Sequence, residues 1–214
     1  MNLKLVSDFS ELYDSFFDST GFEHRRVTTD GPNRIQMFRM FTSIGMDTPL
    51  YGYLSQFKDY PDKEHEVVIY DDLKSHFGED KRISSINNVL NVANIRKNWT
   101  VFCSLFVNTD TDAYKAKSTR ILVIGKRAFS YEYISYNDWR SNCGEGDIIN
   151  AKEIPVPDWR KDIPYPMFAI DFVEDKAIDF NIAPGITGTG VGKLISCSEI
   201  ILSLKNWYRE YFNG

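Results

Sequence analysis

Residues 168–185 read Phe168-Ala169-Ile170-Asp171-Phe172-Val173-Glu174-Asp175-Lys176-Ala177-Ile178-Asp179-Phe180-Asn181-Ile182-Ala183-Pro184-Gly185. Two short apolar runs, roughly 168–173 and 177–181, flank the charged turn Glu174-Asp175-Lys176, which is the pattern of a β-hairpin. Asp179 and Asn181 are two residues apart, so on a strand they share a face. Asp171 lies on the partner strand, within cross-strand reach in the right register. Two carboxylates and an amide oxygen on one face suit Mg²⁺, a hard cation that takes few protein oxygens and completes its shell with water and substrate phosphates. The alternative is that all three are solvent-facing residues of a half-polar strand. If the metal reading holds, the carboxylates repel each other without a cation. Asp179→Asn is then expected to leave the metal-free fold intact, or to stabilise it.

At 214 residues the chain has room for one large domain or two small lobes, with a sizeable core. The composition is 43% hydrophobic and 26% charged, ordinary for a globular protein, and the 14% aromatic share argues against disorder. A net charge of −5 gives no overall field for nucleic acid. Cys103, Cys143 and Cys197 have no paired spacing, so they form neither a disulfide framework nor a zinc motif. The N-terminus reaches Asp8 without an apolar core, and no run approaches the ~18 apolar residues of a membrane span. A cytoplasmic protein without membrane contact is the expectation.

Working back along the chain, Thr119–Tyr133 is a strand, a turn at Gly125-Lys126 and a second strand. The loop Asn137-Asp138-Trp139-Arg140-Ser141-Asn142-Cys143-Gly144-Glu145-Gly146 follows. Residues 150–166, with Pro155, Pro157, Pro164 and Pro166, read as an irregular connection. Helical spacing marks 8–18 through Phe9, Leu12, Tyr13 and Phe16. It also marks 34–44, where Ile35, Phe38, Phe41 and Ile44 share a face. A third helix falls on 84–96, with Ile86, Val89, Leu90, Val92, Ala93 and Ile95. A fourth, over 191–212, carries Leu194, Ile195, Ile200, Ile201, Leu204, Trp207, Tyr208 and Tyr211. Further strands are expected at Leu50–Leu54, Glu66–Tyr70 and Trp99–Val107.

The run Asp179-x-Asn181-x-x-Pro184-Gly185, continued by Ile186-Thr187-Gly188, resembles the metal-binding end of the ATP-grasp carboxylate–amine ligases, in the branch of glutathione synthetase and the glutamate ligases of ribosomal protein tails. The segments 119–133 and 137–146 resemble that family's Arg-bearing hairpin and its Asp-aromatic-Arg loop. The resemblance implies an α+β, ATP-grasp-like fold, two α+β lobes around a nucleotide cleft. It divides the chain into a short N-terminal segment, 1–32, and a domain over 33–214, with a first lobe at 33–107 and a second at 108–214. It implies ATP and Mg²⁺ as cofactors, with Asp171, Asp179 and Asn181 on the metal and Arg120, Arg140 and Asn142 at the transferring phosphoryl group. The implied reaction joins a small-molecule or peptide carboxylate to an amine through an acyl phosphate.

The sequence departs from the family in four places. Asp179 stands where Glu is usual. Ile69 aligns with a phosphate-binding Lys, for which Lys74, Lys81 or Arg82 are the substitutes at hand. The loop that should be glycine-rich has only Gly78, and Ser104 and Leu105 replace the acidic or amide residues that hold adenine. The resemblance also leads one to expect that the domain that usually precedes this region is absent here or supplied by a partner protein. A catalytically degenerate ATP-grasp-fold protein, acting as a nucleotide- or protein-binding module, is therefore the alternative to the ligase.

Overall fold

A computed structural model describes residues 32–74, 80–108, 115–182, 184–186 and 188–213. The helix expected at 8–18, and with it Gly78, lies outside these residues.

The described chain opens with α1 (Arg34–Ser43), whose start is set by chemistry rather than propensity. The Asn33 side chain accepts from the Gln36 N–H, and the Gln36 side chain accepts from the Asn33 N–H, each at 2.9 Å. This reciprocal pair is a capping box. The buried face of α1 is Arg34, Met37, Phe38 and Phe41, so an arginine stands in an otherwise apolar stripe. Ile44, placed on that face by spacing alone, is the C-cap.

The first sheet is built from β1 (Tyr51–Tyr53), β2 (Glu66–Tyr70), β3 (Lys81–Ser85) and β4 (Phe102–Leu105), in the antiparallel order β1-β4-β2-β3. Val67, Ile69 and Cys103 face α2 (Ile86–Arg96) and join Ile86, Val89 and Ala93 in one core. Val68, Tyr70 and Phe102 face the other way, towards α1 and the second sheet. Of the apolar residues in α2, Val92 and Ile95 are 48% and 81% exposed, so its buried face is narrower than the count of apolar residues implies.

The second sheet follows the order β7-β6-β5-β8-β9, from β5 (Ala116–Ile124), β6 (Arg127–Ser135), β7 (Gly146–Ile154), β8 (Met167–Val173) and β9 (Lys176–Asn181). The first part of the stretch expected to be an irregular connection is the end of β7, whose strand runs up to Pro155. The C-terminal helix α3 (Cys197–Asn213) starts later than its apolar spacing suggests, because Val191–Lys193 forms a separate 3-10 turn. It packs through Ile200, Leu204, Trp207 and Tyr208 on Leu122, Ile124, Phe129, Met167 and Ala169. No helix among the described residues is long and apolar enough to cross a membrane.

The β5–β6 turn is tied to α3. Gly125 has φ +59°, and a methyl on its Cα would overlap the Ser203 carbonyl. Its own carbonyl accepts from Arg160 Nε at 3.0 Å, and that guanidinium lies between the Phe168 and Trp207 rings. Gly125→Ala is therefore expected to destabilise the fold by roughly 2 kcal/mol, through a strained φ and loss of the α3 contact. Urea unfolding checks this, and Lys126→Ala one position along should cost far less.

Candidate functional site

Register places the site. Across the second sheet, Tyr131, Arg120, Asp171 and Asp179 are direct partners on β6, β5, β8 and β9. A one-residue bulge creates the last pairing. Phe172 pairs with Ala177, but Asp171 pairs with Asp179, so Ile178 is the extra residue. Regular pairing would set Ile178 against Asp171; the bulge brings the two carboxylates together instead. Asn181 lies two residues on, opposite Ala169. The face that α3 covers at Leu122 and Ala169 continues one residue pair further as Arg120 and Asp171.

A cavity of ≈ 120 Å³ separates this end of the sheet from the first lobe. Val68, Tyr70, Lys81 and Ser104 line it from one side, and Lys117, Asp171, Ile178 and Asp179 from the other. Leu105–Asn108 and Trp139–Cys143 complete the wall. Its volume is below the ~300–1,000 Å³ of pockets that enclose drug-sized ligands.

Five of the residues named from sequence, Ile69, Lys74, Arg82, Arg120 and Asn181, are absent from the lining of this cavity. Ile69 is fully buried against α2 and faces away from the cleft. The cleft-facing positions of β2 are Val68 and Tyr70, and Lys81 is the cross-strand partner of Tyr70. Lys81 therefore delivers an ammonium from the neighbouring strand. Arg82, one residue on, takes the opposite face and pairs with Asp71 at 3.0 Å. Lys74 is exposed and lies outside the cleft lining. Of the three basic substitutes, the fold brings only Lys81 to the cavity.

The carboxylates are not bare. Arg120 grips Asp171 with two hydrogen bonds, Nε to Oδ1 at 2.5 Å and Nη2 to Oδ2 at 2.6 Å. Burial works against the Arg120 charge, but the Asp171 charge and these bonds outweigh it and raise its pKa. Asp179 Oδ1 accepts from Arg34 Nη1 and from the Phe180 N–H, and Oδ2 accepts from Lys81 Nζ at 2.9 Å. Burial alone would raise the Asp179 pKa; Arg34 and Lys81 outweigh it and hold the carboxyl well below the usual carboxylate range. Arg34 is wholly buried, with its guanidinium carbon 5.4 Å from the centre of the Tyr70 ring. Its Nε and Nη2 have no hydrogen-bond partner among the described residues.

Sequence reasoning missed Arg34; the available signal was a cation at i, i+3, i+4, i+7 with Met37, Phe38 and Phe41. It also missed Asn108, an amide at the cleft beyond Leu105. Arg140 and Asn142 both line the cavity. Arg140 is held from behind by Asp138, Nε to Oδ1 at 2.9 Å and Nη2 to Oδ2 at 2.8 Å. Trp139 meets Phe106 edge-on at 5.8 Å, which seats the loop against the segment after β4. Arg120 sits beneath this lining rather than in it.

The donor set suits Mg²⁺ in type: Asp171 faces Asp179 and both line the cleft, whereas Asn181 is not part of that lining. Its charge does not wait for a metal, because Arg120, Arg34 and Lys81 together outnumber the two carboxylates by one. Among the described residues no group of three His, Cys, Asp or Glu is placed to hold a metal ion, so Asn181, water and phosphate would have to complete the shell.

No family model matches the sequence, and no curated protein matches it either. The fold is that of the ATP-grasp ligases. The chain is similar to the ATP-grasp ligase PsnB, solved with minimal precursor, Mg and ADP, at 11% identity and a TM-score of 0.57, over 89% of this chain and 64% of that one. It is similar to D-alanine–D-alanine ligase from Bacillus anthracis complexed with ATP, at 12% identity and a TM-score of 0.54, over 95% and 78% of the two chains. A Chryseobacterium gregarium RiPP-associated ATP-grasp ligase in complex with ADP and a leader and core peptide matches at 14% identity and a TM-score of 0.51, over 80% and 57%. The chain thus spans less than two thirds of the PsnB length.

The ion pairs reverse the stability expectation for Asp179→Asn. Removing one member of a buried pair leaves the other charged and uncompensated, at a cost of about 3 kcal/mol or more. The same applies to Asp171→Asn with Arg120. Both variants should melt well below the wild type at neutral pH, without any added metal. The Asp179 pKa is depressed in the fold, so its contribution is complete above the unfolded carboxylate pKa of ~4 and is lost only as pH falls towards the lower folded value. Melting temperatures of wild type and Asp179→Asn, followed from neutral to strongly acid pH, should therefore converge only below the ordinary carboxylate range.

Proposed function

We propose that this chain binds ATP between its two sheets and uses it to join a carboxylate to an amine. The observation that carries the reading is the cleft lining, which draws on both lobes at once: Lys81, Leu105–Asn108, Trp139–Asn142, Asp171 and Asp179. Val68, Leu105 and Phe106 offer apolar walls for a purine, while the backbone of 105–108 and the Asn108 amide offer edge contacts. Lys81 is the cation that reaches nucleotide phosphates from the first lobe. Arg140, braced by Asp138, presents a planar guanidinium to phosphoryl oxygens, and Asn142 stands beside it.

In this reading the substrate carboxylate attacks the γ-phosphorus and ADP leaves. The amine then attacks the acyl phosphate carbon, phosphate leaves, and the nitrogen loses a proton. The protein's share is positioning and charge stabilisation. A magnesium ion bound with the nucleotide would be held by Asp171, Asp179 and Asn181 and would neutralise phosphate charge. The acid and amine are small molecules or peptides; fold neighbours are named both for D-alanine and for precursor peptides.

A non-catalytic nucleotide-binding module is the second reading. It is favoured by the fact that both oxygens of Asp171 and of Asp179 are already held by protein donors.

ATP with Mg²⁺ is expected to raise the melting temperature, by mass action worth about 2.7 kcal/mol at a hundred times Kd. Arg140→Ala should keep most of that shift but lose ADP formation, because its guanidinium meets the transferred group rather than the purine. Calorimetric titration that shows no heat at millimolar ATP, with the fold intact, would remove the nucleotide reading. Binding without turnover for any acid and amine supplied would leave the module.

A further inference from the structure

The two oxygens of Asp179 are held in unequal ways. Oδ1 is fixed by Arg34, which is wholly buried on α1, and by the Phe180 N–H at 2.9 Å. Oδ2 has, among the described residues, a single hydrogen-bond partner, Lys81 Nζ at 2.9 Å. The Lys81 side chain is 15% exposed and lines the cleft. It stands on β3, an edge strand of its sheet, and an unbranched four-carbon stem can swing its head without moving the backbone. Arg34 has no such freedom, packed against Met37 and Tyr70.

We propose that Lys81 is a tethered counter-ion that occupies the place of a divalent cation on Asp179 Oδ2 and yields it when nucleotide phosphates arrive. This deepens the nucleotide reading above and rests on it. With Lys81 in place, Arg34, Lys81 and Arg120 face Asp171 and Asp179, an excess of one positive charge. A bare divalent cation is repelled from that cluster, while a triphosphate is attracted to it. When the ammonium transfers to phosphate, Oδ2 opens towards the cleft. Arg34 still holds Oδ1, so Asp179 stays ionised and keeps its orientation. Nothing covalent changes; one ammonium–carboxylate contact is exchanged for an ammonium–phosphate contact and a carboxylate–metal contact. Metal and nucleotide then bind with strong positive coupling.

The probe is Mn²⁺ without nucleotide, its free concentration read by electron paramagnetic resonance and its binding heat by calorimetry. Lys81→Met should bind Mn²⁺ at least ~10-fold more tightly than the wild type, because a nearby unit positive charge is gone. Lys81→Gln serves as the second variant if the methionine disturbs folding, which circular dichroism reports. Lys81→Arg should resemble the wild type, and the gain should vanish when Asp179→Asn is added to Lys81→Met. Equal Mn²⁺ affinity in wild type and both neutral variants overturns the proposal, as does a gain that survives Asp179→Asn. Failure of the nucleotide reading shows separately: the wild type would then bind no ATP in the presence of Mn²⁺, whatever Lys81→Met does with the metal alone.

Discussion

The Arg34–Asp179 ion pair is the contact on which the rest of the cleft depends. Its guanidinium has no access to water, and its charge partner sits on the edge strand of the second sheet. A buried charge is tolerable only when it is paired, so α1 cannot leave β9 without stranding a cation. Neighbouring contacts fix the same joint. The Ala177 N–H donates to the Asp47 carbonyl at 2.8 Å, and Phe41 packs edge-on against Phe180. The helix that precedes the first sheet is thereby part of the wall of the second. The relative position of Lys81 and Asp171 across the cleft follows from that joint.

What the sequence shows of this arrangement follows from how local each feature is. The hairpin around Glu174-Asp175 was legible, because apolar runs and a charged turn are contiguous signals. So was the Gly125 turn, where only a residue without Cβ fits. The bulge at Ile178 was not legible, since it depends on which strand β9 pairs with and in which register. Without it, Asp171 and Asp179 share a hairpin but not a row. Parity explains the other misses. Ile69, aligned with a phosphate-binding position, faces α2 while its neighbours Val68 and Tyr70 face the cleft, because on a strand one residue reverses the face. The same parity separates Lys81 from Arg82, which are indistinguishable as charges in a polar stretch. The end of β7 was hidden by Pro155 and Pro157, which follow the strand rather than interrupt it, and by a side-chain pattern that is exposed on both faces.

Arg34 illustrates a different blind spot. An arginine within an apolar helical stripe is ordinarily read as a flank residue whose stem lies on the surface. Here the stripe itself is 34, 37, 38 and 41, and the arginine is as fully buried as its three apolar members. Only the position of a carboxylate 145 residues away makes that burial affordable.

The aspartate in place of a longer glutamate is then more than a loss of reach. With one methylene fewer, the carboxylate stays close to its own backbone, and Oδ1 accepts from the next residue's N–H. A carboxylate drawn back in this way stands further from anything bound in the cleft. Arg34 and Lys81 are the groups that come to it instead, one from the core and one from the opposite lobe. The short side chain, the buried arginine and the mobile ammonium are thus mutually consistent parts of one site. Lengthening the acid would push Oδ2 towards the cleft but withdraw Oδ1 from the Phe180 N–H and from Arg34. The cost would appear in the stability of the joint between α1 and β9 before any gain appeared in metal affinity.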